Sequence, residues 1–421
     1  MFSLPVMHKI FRKMFPQKIL FVVMLQIAVT ALSGLVSPAV GFGQQAGSAA
    51  PAELKQAYEE SVSTGRAMVQ KCQNLQTQMM HNGYEESGEW QEQLEEAAGE
   101  LAAHSKNIRQ TAIDYFLVNE KPDVELLNVI RLSIKGLLEE KQYELVRTLL
   151  QRVEKFVPED VYAQAQLALV STRLNDFERG IKFLQRPDAQ SALETIEDKL
   201  DKGLLFSSSY LQEKWKRELG LRQKDANANL PRVKLELPTG EVTIELFEDE
   251  APIAVANFLH RVESGFYDQT KFHSVVDGQM ARGGILGSSA GENFDYAIAD
   301  EMTLPDARHH FRGTISMFNY SHRDSGEVLK DSAHAEFFIL TSPLPVLDWD
   351  GTEEDQARYT VFGRVLEGIE AVDRLQSTHR YDNEEEKEVQ IEGVTSLDAL
   401  RRAKVIRKKD HQYQFERIEK R

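Results

Sequence analysis

Phe272-His273-Ser274-Val275-Val276-Asp277-Gly278-Gln279-Met280-Ala281-Arg282-Gly283-Gly284 is the stretch that decides the fold. It reads as a strand that stops at a glycine-containing turn and restarts. The aromatic and Met side chains land close together, and Gly283-Gly284 lets the backbone pass tightly.

The flanking sequence continues the β pattern. Val233, Leu235 and Leu237 alternate with Lys234 and Glu236; Pro238-Thr239-Gly240 makes a turn; Val242, Ile244 and Leu246 alternate with Thr243 and Glu245. This predicts a hairpin with one buried face. A helix follows, with Pro252 in its first turn, Val255, Phe258, Leu259 and Val262 on one face, and Gly265 at its end. Further strands are expected at Lys271–Val276, Thr314–Phe318, Glu336–Leu340, Tyr359–Val365 and Ala403–Arg407, with a second helix at Ile369–Gln376. Such spacing predicts a closed barrel.

Upstream, residues 53–224 read as helix almost throughout, and long amphipathic stretches suggest an antiparallel hairpin or coiled coil. A weak repeat lies within 130–185: Tyr143 and Phe177 are 34 residues apart, as are Leu150 and Leu184, the period of tetratricopeptide helix pairs. An irregular bundle is the alternative, because two copies fall short of a solenoid and the small-residue positions are poorly filled. Asp225–Pro231 is the expected linker between the helical region and the strands, and residues 411–421 form a polar tail expected to fray.

The β-rich part, about 232–410, resembles the cyclophilin-type peptidyl-prolyl cis-trans isomerases. The central run matches their F-H-R-V-I-x-G-F-M-x-Q-G-G segment. Gly265-Phe266-Tyr267, Gly313-Thr314-Ile315-Ser316-Met317, Glu336-Phe337-Phe338-Ile339, Leu347-Asp348 and Tyr359-Thr360-Val361-Phe362-Gly363-Arg364-Val365 follow in order. The resemblance implies an α + β multidomain chain: a helical N-terminal region, then a closed antiparallel eight-stranded barrel capped by two helices. It also implies rotation of the bond preceding proline, whose barrier is about 18–20 kcal/mol. No bond breaks, so the site needs an apolar pocket for the proline ring and donors that favour the twisted amide.

Carried over by position, Phe338 is the pocket floor, Met280 a wall and Leu347 a further pocket residue, with Phe272 behind them; barrel core is the alternative for Phe338 and Met280 and the favoured reading for Phe272 and Phe337. Tyr359 offers a hydroxyl to the peptide, and the backbone of Asn319 holds it. Gln279, Phe318 and Glu336 complete the binding set, each replacing the family's usual residue: Phe, Ala and Gln respectively. The family's catalytic arginine is Ser274 here, and Arg282 stands where the family has glutamine. Arg282 is therefore the candidate donor, with Glu336 to orient it; a surface ion pair between the two is the bland alternative. For the whole domain, a module that holds proline segments without speeding their rotation, or acts as a scaffold, competes with an isomerase assisting exported proteins.

Composition bounds the rest. Of 421 residues, 42% are hydrophobic, and Asp plus Glu outnumber Lys plus Arg by 66 to 50, a net charge of −16. That argues against nucleic acid as partner. Proline-containing polypeptides are the expected clients, and the helical region a surface for a protein partner. The single Cys72 excludes an intrachain disulfide. Neither His309-His310 nor His273 has metal-ligand spacing, so no metal or cofactor is expected. Lys9, Arg12, Lys13 and Lys18 precede an apolar run from Ile19 to Val36, and Ala39-Val40-Gly41 suits cleavage. Residues 1–43 thus read as a signal peptide or an uncleaved anchor, the only membrane contact expected, and 44–52 as a tether. The chain is expected to be exported, to a periplasm or cell envelope.

Overall fold

The computed structural model describes residues 50–82, 88–195, 199–268, 270–285, 296–321, 327–349, 351, 359–375, 379–382, 387–390 and 400–419. Residues 1–43, expected as signal peptide or anchor, lie outside them, and of the expected tether at 44–52 only Ala50–Ala52 are described, where Pro51 already opens a helix. The chain divides into two compact units, Met1–Ala163 and Gln164–Arg421.

The first unit is helical: α1 Pro51–Asn82, α2 Gly88–Val118, α3 Val124–Glu139 and α4 Tyr143–Phe156. Ser61 bonds Thr111, and Lys71 pairs Glu100, so α1 and α2 run antiparallel. Cys72 is buried between them with Leu94, Ala97 and Leu101. Asp123 caps α3 by accepting from the Leu126 amide at 2.8 Å.

The second unit carries α5 Val161–Arg173, of which all but its first turn belongs here, then α6 Phe177–Leu184, α7 Ala189–Glu194, α8 Lys199–Phe206 and α9 Ser208–Ala228. The 34-residue spacing has a local basis. Lys141 (φ 60°) and Asn175 (φ 66°) both adopt the left-handed conformation just before α4 and α6. At each turn an amide bonds back to a helix carbonyl five residues earlier, Gln142 to Leu137 (2.9 Å) and Asp176 to Ser171 (2.8 Å).

Asp225–Ala228, expected as linker, is the last turn of α9; Asn229 (φ 51°) ends that helix and β1 begins at Arg232. The remaining elements are β1 Arg232–Leu237, β2 Gly240–Leu246, α10 Pro252–Glu263, β3 Lys271–Val276, β4 Met280–Ile285, β5 Tyr296–Ala297, β6 Thr314–Met317, β7 Phe337–Leu340, β8 Val361–Glu367, α11 Ile369–Asp373, β9 His379–Asp382, β10 Lys387–Gln390, β11 Arg402–Arg407 and β12 Ile418–Glu419. β1 shows the expected alternation, with Val233, Leu235 and Leu237 buried. Phe258, Tyr267, Phe272, Phe337 and Phe362 fill the core, with neighbouring rings 5.1–5.9 Å apart. No polar side chain at the start of α10 caps it. Instead buried Glu301 accepts from the Ile253 and Ala254 amides, both at 2.9 Å.

The closed eight-stranded barrel needs correcting. Among the described residues ten strands form one open sheet, β10-β9-β3-β4-β7-β6-β8-β2-β1-β11, whose edge strands do not pair. β9 and β10 form a hairpin on the β3 edge. β11 reaches that side only through isolated bonds, Leu400 N to Thr270 O (2.8 Å) and Ala403 N to Asp268 Oδ1 (2.9 Å). In the tail, β12 pairs with β5, Phe415 packs on Tyr296, and the Tyr413 hydroxyl donates to Glu248 (2.8 Å).

Helix α9 covers part of the sheet with a charged layer. Arg308, wholly buried, meets Asp225 (2.7 Å), Glu250 (2.8 Å) and Glu218 (3.4 Å), its guanidinium 3.9 Å from the Phe247 ring. Glu245, which alternation alone would leave in solvent, is 2% exposed because Arg232 and Arg364 close over it at 2.9 and 2.8 Å. Beside this layer Phe177, Trp215 and Phe311 form an aromatic triangle with centroids 4.7–6.0 Å apart.

Candidate active site

Strand register assembles the site. Phe272, Gly283, Phe337 and Met317 form one cross-strand row through β3, β4, β7 and β6; its three side chains lie wholly in the core. The next row is Ser274, Arg282, Phe338 and Ser316. Side chains alternate along β4, β7 and β6, and the irregularity between Phe272 and Ser274 keeps β3 in step, so this second row occupies the opposite face. Phe272, expected behind the pocket, is thus a core residue turned away from it. Beside these rows Gly284 lets β4 approach the neighbouring backbone: its φ is +100°, and a Cβ there would lie 2.7 Å from the Ala335 carbonyl.

Arg282 is the direct cross-strand neighbour of Ser274. Its guanidinium lies 4.0 Å from the Phe318 ring centroid, and its Nε is 3.6 Å from Glu336 Oε2. Glu336 is fully buried, with His273 Nε2 at 3.4 Å and the Tyr320 hydroxyl donating to its other oxygen. Burial pushes the Glu336 carboxyl up, but His273, Tyr320 and the Arg282 charge outweigh it and hold it below its ordinary value. The Tyr320 hydroxyl is pushed up, first by burial and then by the Glu336 charge. The result is a fixed anion beneath Arg282.

Phe338 is 1% exposed. The Tyr359 ring stands edge-on to it at 5.5 Å, and Phe318 tilts against Tyr359 at 5.9 Å. Met280, Gln279, Leu347 and Tyr359 are half-buried. Leu347 ends a single 3-10 turn, Pro345–Leu347, whose Val346 is 77% exposed. The Asn319 side chain is buried and donates to Asp300 Oδ1 at 2.6 Å. The register thus unites Arg282, Glu336, Phe338, Phe318 and Tyr359.

The sequence model of the family described as "Cyclophilin type peptidyl-prolyl cis-trans isomerase/CLD" matches residues 232–396. Peptidyl-prolyl cis-trans isomerase cypE of Dictyostelium discoideum is 30% identical over 167 residues, 39% of this chain and 96% of that protein. The chain belongs to the cyclophilin-type peptidyl-prolyl cis-trans isomerase family. Peptidyl-prolyl cis-trans isomerase 9 of Schizosaccharomyces pombe is 30% identical over 166 residues, but the match spans only 25% of that protein's length. A cyclophilin structure from Cryptosporidium parvum, 22% identical, aligns with 43% of this chain and 99% of its own at a TM-score of 0.30.

Sequence reading of this cyclophilin missed the groups behind the floor. His310, 2% exposed, stacks on Phe338 with centroids 6.0 Å apart. Asp348 Oδ1 bonds both His310 Nδ1 and the His310 amide at 2.8 Å, and Asp348 Oδ2 is 3.4 Å from His309 Nδ1. The adjacent histidines had no ligand spacing to mark them, and only Asp348, next to Leu347, lay in a recognisable motif. Burial raises the Asp348 carboxyl, but the imidazoles more than offset this and hold it well below the usual carboxylate range. A depressed folded-state value stabilises the chain above the unfolded carboxylate pKa, about 4, and that contribution is lost as pH falls below it. Asp348→Asn is therefore expected to cost about 1–3 kcal/mol near pH 7 and to flatten the acid side of a denaturant midpoint-against-pH curve. An unchanged acid limb would show that the charge at 348 contributes nothing.

Proposed function

We propose that this chain is an active peptidyl-prolyl isomerase in which Arg282 replaces the missing arginine. The carrying observation is the ladder pairing of Ser274 with Arg282, which brings a guanidinium to the strand position beside the absent one. As the amide twists, its nitrogen gains basicity, and a donor aimed there stabilises the transition state more than the planar ground state. Glu336 and the Phe318 ring would hold the guanidinium in place. Phe338, Met280 and Leu347 would receive the proline ring, with Gln279, Tyr359 and the Asn319 backbone along the peptide. Entry of the ring would move Tyr359 off Phe338 and leave Phe318 against Arg282. Members of the family bind proline-containing peptides, and the test is direct: cis-to-trans rates on a proline peptide with the full chain, alongside peptide affinity.

A second reading, binding without catalysis, is favoured by Ser274 in place of the family's arginine and by the bulk of Phe318 where the family has alanine. Binding without rate enhancement would select it. The basic and apolar N-terminal sequence supports action on exported proteins at a cell envelope; recovery of the full chain in the cytosolic fraction would remove that part.

A further inference from the structure

We propose that Arg173 and Asn175, in the turn between α5 and α6, are positioning residues for the proline site. They lie well before residue 232, where the family match begins. The proposal rests on reading the face around Phe338 as that site.

Arg173, 9% exposed, donates from Nη1 to the Gly278 carbonyl at 2.7 Å. Gly278 occupies the β3–β4 turn, immediately before Gln279 and Met280. Its φ is +66°, and a Cβ there would stand 2.8 Å from Arg173 Nη1. Glycine thus gives both the turn and the room for the guanidinium.

Asn175 grips the same turn from its far side through a short relay. Its side chain accepts from the Arg312 amide and donates to the Arg312 carbonyl, both at 3.1 Å. Buried Arg312 pairs with Asp373 and donates to the Thr341 carbonyl. The Thr341 amide donates to the Gln279 carbonyl at 2.8 Å. The left-handed turn at Asn175 is what aims both side chains at the sheet. Gly278 and Gln279 are therefore each tied, through successive carbonyls, to one helical turn. Met280 follows directly, so the wall of the pocket is set by this clamp.

A wall that contacts the proline ring equally in planar and twisted states affects binding more than turnover. In the full chain, Arg173→Ala is expected to raise KM and peptide Kd about tenfold, the loss typical of one charged hydrogen bond, with kcat within about twofold. Hydrogen exchange at the Gln279 amide, which bonds the Val276 carbonyl, should accelerate. Arg173→Lys should recover most of both effects, because an ammonium still reaches a carbonyl. Asn175→Ala, which leaves Arg173 in place, should act in the same direction and keeps the test open if Arg173→Ala fails to fold. Unchanged exchange and KM, or a fall in kcat alone, overturns the proposal, as does Arg173→Lys behaving like Arg173→Ala. Absence of turnover in the unaltered chain would instead remove the catalytic reading, while exchange and affinity still decide the role of the clamp.

Discussion

Arg282→Ala is expected to lower kcat for prolyl isomerisation by about 10²–10³, the loss seen when one transition-state donor is removed. Proline-peptide affinity should change by less than about threefold, because Phe338, Met280 and Leu347, which would carry most ground-state contact, are untouched. The decisive arm adds the family's residue back. In Arg282→Ala/Ser274→Arg, the new guanidinium starts from the strand position directly opposite, so rate should return while affinity stays level. Arg282→Lys separates charge from geometry: an ammonium keeps the charge but loses the planar fork, and only partial recovery is expected. Equal rates for the unaltered chain and Arg282→Ala would reduce Arg282 to a partner of Glu336.

The largest effect on stability is expected at Arg308. Three carboxylates, Glu218, Asp225 and Glu250, converge on one wholly buried guanidinium. Removing it leaves negative charges crowded in a water-poor layer. Arg308→Ala should cost about 3–5 kcal/mol, the usual consequence of breaking a buried pair from one side. For a unit of this size that corresponds to a fall of roughly six to twenty degrees in the melting temperature. Thermal melts of the full chain decide it; a change of only a degree or two would mean that the carboxylates relax to solvent and the network is worth little. Arg308→Met, which preserves packing against Phe247, should behave almost as badly, since the loss is electrostatic rather than volumetric.

The sequence was most readable where interactions are local. Alternation at Val233–Leu237 located β1, and the Asp277-Gly278 turn fixed the register that sets Ser274 opposite Arg282. Glu336 was visible as a possible partner because a motif placed it on the adjoining strand. Closure of the sheet was not readable, since it depends on which distant edges pair, and here β9 and β10 pair with each other. Phe272 and Phe337, read by preference as core, are wholly buried, because the pleat decides whether a ring looks inward or outward. The stacking of His310 on Phe338 and the reach of Arg173 across 105 residues leave no periodic trace in the chain.

The contact of α9 and the α5–α6 turn with the sheet makes this cyclophilin-type domain a poor candidate for transplantation. A fragment begun at the first strand would bare Phe311 and Arg308 at once, an oily and cationic scar prone to self-association. Any chimera or crystallisation fragment should carry the chain from about residue 164, and swapping helices from a relative would exchange the pocket's scaffolding along with them.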